Sequence, residues 1–144
     1  MSFQTRAMAQ APDLSASMAS GDRMARALRA NTVAIRAEWT EDELRTDGFG
    51  FIVGVDDQST YVATANHVIR GYSGDTAADR VSVRFYGQRG ARSAEIVAHY
   101  DPALDVGVIK IQGRPPKPWF RPVSGPETAA RRGTQVWFVG RSGT

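Results

Sequence analysis

The chain has 144 residues, 42% of them hydrophobic and 23% charged, with no cysteine. That is one domain's worth of sequence, too apolar to be disordered throughout, and it excludes a disulfide framework, a Cys-rich zinc site and a thiolate nucleophile. The net charge of +3 comes from arginines spread along the chain, with Lys110 and Lys117 the only lysines and Arg131 and Arg132 the only adjacent basic pair, so the dense tract of a nucleic-acid arm is missing.

In chain order, residues 1–18 are small and polar without sustained periodicity and are expected to form a flexible N-terminal segment. Within them Ala7-Met8-Ala9-Gln10 has the form of an export-signal cleavage box, but no apolar stretch precedes it. Either a shortened signal, pointing to a periplasmic or secreted protein, or a chance run of alanines accounts for it. From Ser20 to Ala30 the pattern predicts a short surface helix, with Ser20 as its cap and Met24 and Leu28 one turn apart.

The texture then changes to short runs rich in Val and Ile: Thr32–Trp39, Gly48–Val55, Tyr61–Ala65, Arg80–Tyr86, Ala94–Tyr100 and Asp105–Ile111. Turn-like sequences such as Asp56-Asp57-Gln58-Ser59 and Gly71-Tyr72-Ser73-Gly74-Asp75 separate them. Six strands with no long helix between them predict an all-β fold, an antiparallel β-barrel or sandwich, with the N-terminal helix appended. Residues 19–114 are thus expected to be helix plus barrel, and 115–133, with five prolines, a surface linker. Apolar Val136-Trp137-Phe138-Val139, in the 134–144 segment, reads as a strand that either joins the first sheet or opens a second domain.

Two residues stand out chemically. His67 follows the small residues Thr64-Ala65-Asn66 at a strand end, where backbone holds its ring, as suits a general base. A lone histidine is, however, more often structural. Asp105 opens the apolar strand Val106–Ile111, where a buried carboxylate would need a partner. As a turn residue near Asp101-Pro102 it would need none. Together, an aspartate accepting from one imidazole nitrogen leaves the other free to deprotonate a hydroxyl nucleophile. No metal ligand set is evident, since His67 and His99 form neither an HxxH nor an HExxH pair, and no cofactor is expected.

At this point the sequence resembles the trypsin-like serine endopeptidases of chymotrypsin fold, nearest the bacterial HtrA/Deg type. Gly48-Phe49-Gly50-Phe51-Ile52-Val53 is similar to the family's GxGF strand, Thr64-Ala65-Asn66-His67-Val68 to its histidine box, and Asp101-Pro102-Ala103-Leu104-Asp105-Val106-Gly107-Val108-Ile109-Lys110 to its aspartate box, in the family's order. The resemblance covers roughly Asn31 to Gly140. It implies the first barrel of a double-barrel peptidase, with His67 as general base, Asp105 as orienting carboxylate, and Asp101 as the non-catalytic aspartate before it. A polypeptide substrate and a specificity pocket built by the second barrel follow. Gly48 and Gly50 then serve close strand packing; the spacing Gly48, Gly50, Gly54 leads to a turn and strand and fails as a dinucleotide fingerprint.

The departure is the nucleophile. The family's G-(D/N)-S-G-G loop is absent, and Gly140-Arg141-Ser142-Gly143 satisfies G-x-S-G only superficially, with Thr144 alone following. An oxyanion loop needs more scaffold than that. The resemblance therefore implies a chain carrying His67 and Asp105 but not the serine, inactive by itself, and completed by a C-terminal barrel or self-associating through its terminal strand. The alternative is a catalytically inactive β-barrel that binds proteins; a nucleic-acid-binding barrel is disfavoured by its dispersed aromatics. On the peptidase reading, His67 and Asp105 should lie within about 2.6 to 3.2 Å of each other.

Overall fold

The computed structural model describes residues 14–97, 102–120 and 133. The export-signal-like box, His99, Asp101, most of the linker, the terminal strand and Ser142 lie outside the described residues. Helix α1 (Leu14–Asn31) leads directly into strand β1 (Thr32–Trp39), followed by β2 (Leu44–Val55), β3 (Ser59–Ala65), a one-turn helix α2 (Asn66–Arg70), β4 (Arg80–Phe85), β5 (Arg92–Ile96), a 3-10 turn at Pro102–Leu104 and β6 (Val106–Gln112). The strands close into an antiparallel barrel in the order β1-β2-β3-β6-β5-β4.

Period-two alternation sets the core. Val33, Ile35, Ala37 and Trp39 of β1, Val81, Val83 and Phe85 of β4, Ile52, Val62, and Ile109 and Ile111 of β6 point inward and are buried. Buried hydroxyls find acceptors: Thr60 Oγ1 donates to the Gly113 carbonyl at 2.7 Å and Thr64 Oγ1 to that of Phe49 at 2.8 Å.

Several boundaries differ from the sequence reading. Helix α1 starts at Leu14, so the segment boundary expected after residue 18 falls inside it, and Ser20 is a helix residue instead of its cap. Met24 is exposed and Leu28 half-buried. The helix is finished by Thr32 Oγ1 donating to the Leu28 carbonyl and by Arg29 in its last turn, whose guanidinium lies 5.9 Å from the Tyr86 ring centroid. Strand β2 begins four residues earlier than Gly48, since Leu44, Arg45, Thr46 and Asp47 pair in register with Trp39, Glu38, Ala37 and Arg36 of β1. Their polarity suits an outward face, where Arg36 Nε donates to Asp47 Oδ1 at 2.8 Å. Strand β5 is Arg92–Ile96, earlier than the expected Ala94–Tyr100.

Glycines make room where strands and α2 approach most closely. A Cβ on Gly50 would stand 2.5 Å from Val62 Cγ1 and 2.7 Å from the Ala63 carbonyl oxygen; one on Gly48 would meet both methyls of Val68 at 2.7 and 2.8 Å; one on Gly107 would meet Ile69 Cδ1 at 2.7 Å. Val68 and Ile69, both buried, are thus seated against two strands that carry no side chain at the point of contact.

The linker crosses back over the barrel. Trp119 packs on the core, and the Asn31 carboxamide grips the Phe120 backbone at both ends, its Nδ2 donating to the carbonyl and its Oδ1 accepting from the N–H at 2.7 Å. The chain therefore leaves the barrel beside the start of β1.

Because the atom nearest a Gly50 Cβ is side chain but the next is main chain, Gly50→Ala should cost on the order of 1–3 kcal/mol in urea unfolding. Gly54→Ala, whose Cβ would meet Tyr61 at an ordinary 3.8 Å, should stay within about 0.5 kcal/mol. Equal losses at the two sites would show that Gly50 is not a packing glycine.

Candidate active site

The strand ladder itself brings the two chemical residues together. Its last rung pairs Ala65 of β3 with Val106 of β6. One residue beyond, the Asn66 N–H donates to the Asp105 carbonyl at 2.9 Å. Asp105 has φ +50, a left-handed conformation that aspartate tolerates better than most residues, and so turns the chain into β6. Its side chain then reaches back: Oδ1 accepts from the His67 backbone N–H at 2.9 Å, and Oδ2 from His67 Nδ1 at 2.7 Å.

Those contacts also explain α2. Asn66–Arg70 has no side-chain cap of its own, Ala65 occupying the N-cap position. Asp105 supplies the missing acceptors from another strand, satisfying two of the N–H groups that a helix start leaves open. Gly71, at φ +69, ends the helix after Arg70. His67 is therefore a residue of a short helix, where the sequence reading placed it at a strand end. That helix is clamped by Val68 and Ile69 below and by Asp105 at its start.

Asp105 is not the buried carboxylate expected: its side chain is 53% exposed and that of His67 38%. It stands at the barrel's rim, covered by none of the described residues. Hydrogen bonding, with a smaller charge attraction to His67, holds its carboxyl below the ordinary aspartate range. The His67 ring contributes most and the His67 backbone N–H next, against a smaller opposing effect of partial desolvation. With Nδ1–H committed to Asp105, the neutral ring presents Nε2 as its basic nitrogen.

Around the pair lies a depression of about 310 Å³ lined by Asn66, His67, Gly71, Tyr72, Ser73, Gly74 and Asp105. Tyr72 stacks on His67, ring centroids 5.3 Å apart and planes 7° from parallel. Neither Tyr72 nor Asn66 was singled out from the sequence. The run from Asn66 to Arg70 ending in Gly71 has the form of a helix stop, the one signal that would have placed both beside His67. Among the described residues no group of three or more potential ligands could hold a metal. No helix among them is long and apolar enough to cross a membrane.

The trypsin-like peptidase domain family matches residues 48–144 of this chain, from the first glycine of β2 to the last residue. Among solved structures, the Rv3671c protease from M. tuberculosis in its active form is similar at a TM-score of 0.55 and 22% identity, over 89% of this chain and 50% of that one. At that identity the likeness shows the fold, and this chain spans half the length of that protease. No curated protein sequence matches.

The carboxyl of Asp105 should titrate below about 3.9, the ordinary aspartate value. Because its native pKa is lowered, the bonds it accepts contribute fully above that ordinary value and are lost as pH falls through the native one. Carboxyl-carbon NMR titration of the wild type and of His67→Ala reads this. The midpoint should move up toward the ordinary value in the variant, and an unmoved midpoint would assign the shift to the backbone donors.

Proposed function

The chain belongs to the trypsin-like peptidase domain family, and on that premise we propose that it is the histidine- and aspartate-bearing barrel of a serine endopeptidase. The observation that carries the reading is the 2.7 Å contact between His67 Nδ1 and Asp105 Oδ2. In the proposed reaction Asp105 holds the ring as the Nδ1–H tautomer, and Nε2 takes the proton of a serine hydroxyl as that oxygen attacks the scissile carbonyl. The imidazolium so formed is stabilised by the carboxylate and returns its proton to the leaving amine.

The serine and the oxyanion-hole donors are assigned to sequence outside these 144 residues, in keeping with a chain that matches half of a protease. By itself the chain is proposed to be inactive. On this proposal helix α1 and the first barrel extend to residue 114, with 115–133 the connection and 134–144 the first strand of a second barrel.

The outer face of the first barrel supports this division. Phe49 and Phe51 are each 52% exposed, and the register sets Ala34 beside Phe49, Ala63 beside Phe51, and Ala65 beside Val106. An apolar face therefore runs along β1, β2, β3 and β6 to the rim that holds His67. The Phe120 backbone is held at Asn31, beside the start of β1 on this side of the barrel. The partner proposed for this face is the complementing C-terminal barrel, with self-association when that barrel is missing.

A catalytically inactive, protein-binding barrel is the second reading, and one observation favours it. One of the two hydrogen bonds its carboxylate accepts comes from the His67 backbone N–H at the start of α2, so fold maintenance alone would keep it. Activity separates the two readings. A fluorophosphonate should leave the 144-residue chain unlabelled and label a chain extended through the following encoded sequence, with labelling lost in His67→Ala. In that extended chain Asp105→Asn should lower the catalytic rate about 10⁴-fold through the wrong histidine tautomer. A fall of less than about tenfold would remove Asp105 as the orienter.

The interface is tested by sedimentation. The 144-residue chain should self-associate, and Phe49→Glu with Phe51→Glu should render it monomeric. A monomeric wild-type chain at about 100 μM would show that the face needs no cover.

A further inference from the structure

The depression beside His67 contains more than the pair needs. Tyr72 is 93% exposed even though its ring lies parallel to the imidazole, so almost all of its aromatic surface remains open. It is not on a floppy loop. The Gly74 N–H donates to the Gly71 carbonyl at 3.0 Å, and the glycines at both ends take φ values of +69 and +76, closing a tight turn. Under this turn lies the Asn66 carboxamide, with Nδ2 3.6 Å from where a Gly74 Cβ would stand. Asn66 is only 3% exposed, and its Oδ1 is buried without a hydrogen-bond partner. A buried acceptor left unmet is uncommon enough to require an explanation.

The lining has one chemical character. Asn66 Oδ1 and the Asp105 carboxylate are acceptors, Ser73 brings a hydroxyl, and Tyr72 offers a π-face, electron-rich above and below its plane. The only lining group that carries positive charge on protonation is His67, whose Nδ1 is already committed to Asp105. Such a surface favours a ligand with an apolar stem to lie along the ring and a cationic head to meet the acceptors.

We propose that Asn66, Tyr72, Ser73 and the exposed edge of Asp105 form a substrate subsite on the first barrel for a lysine or arginine side chain of the polypeptide, in a residue bound beside His67. Tyr72 is its specificity-determining residue. This rests on the endopeptidase reading for the identity of the ligand as a substrate, but the recognition itself requires no turnover. The contribution of the ring is a cation–π contact at an exposed site, which corresponds to about two- to fivefold in affinity.

The experiment is an NMR titration of the 144-residue chain with three blocked amino acids: Nα-acetyl-lysine methylamide, its norleucine counterpart with the same stem and no charge, and its glutamate counterpart. The lysine probe should shift the Tyr72 ring and Asn66 carboxamide resonances and bind about two- to fivefold tighter than norleucine, with glutamate weakest. Tyr72→Phe should keep the preference, and Tyr72→Leu, which retains an apolar wall without the π-face, should lose most of it. Both changes sit on an exposed side chain, so the fold is not at stake. Norleucine binding as well as lysine, shifts falling outside residues 66–74 and 105, or no saturable shift for lysine would each overturn the subsite. Fluorophosphonate labelling of the chain extended through the following encoded sequence reports separately on the enzyme. Labelling without lysine preference sinks the subsite alone, and lysine preference without labelling sinks the endopeptidase reading alone.

Discussion

The geometry of the site depends on one carboxylate that spends both oxygens on the same residue. Asp105 accepts from the backbone and from the ring of His67, while its own carbonyl accepts from Asn66. One contact fixes where the helix begins and the other fixes how the ring is turned. Neither could be made from a neighbouring position in the chain. The β3–β6 register ends at Ala65 and Val106, and a slip of one residue would send the Asp105 side chain to the other face. The contact that orients the imidazole is thus an extension of barrel pairing, and the positive φ of Asp105 is the local deviation that lets the side chain turn back toward α2.

The second support is the absence of side chains at two positions. Val68 and Ile69, the two residues just after His67, rest where Gly48 and Gly107 leave space. A five-residue helix has almost no stability of its own, because nucleation consumes most of what its few hydrogen bonds contribute. It persists here because its start is capped from β6 and its apolar residues are buried against β2 and β6. The motif glycines and the histidine are consequently one mechanical unit: the glycines set the height of α2, and α2 sets the place of the imidazole.

Much of this was legible because strands announce themselves by alternation. Thr32–Trp39 has the predicted bounds, since Val33, Ile35, Ala37 and Trp39 alternate without interruption. Leu44–Asp47 was not legible, because its Asp47 pairs across to Arg36 on an outer face that looks like a loop in sequence. Helix α2 was hidden as well: Val68-Ile69 continues the β-branched texture of β3, and what bends the chain is an acceptor 38 residues away. The family resemblance of three boxes in order pointed to His67 and Asp105 together. Composition could not foretell that the pair is exposed, because exposure depends on what lies over the rim and not on the residues at it. Tyr72 and Asn66 escaped for a related reason, since only the turn between Gly71 and Gly74 brings them into one depression.

The closed barrel leaves every one of its six strands paired on both sides, so it presents no free edge to which a further strand could add. Among the described residues contact with the barrel is therefore open through its faces, and one face that is both apolar and exposed is continuous with the site. Covering Phe49, Phe51 and Val106 would do more than remove apolar surface from water. It would lower the effective dielectric around His67 and Asp105, strengthening the same 2.7 Å hydrogen bond that now stands half in solvent. It would also exclude the water that competes for Nε2. The barrel by itself supplies the alignment of the two groups, and a partner on that face would supply the environment in which the alignment matters most.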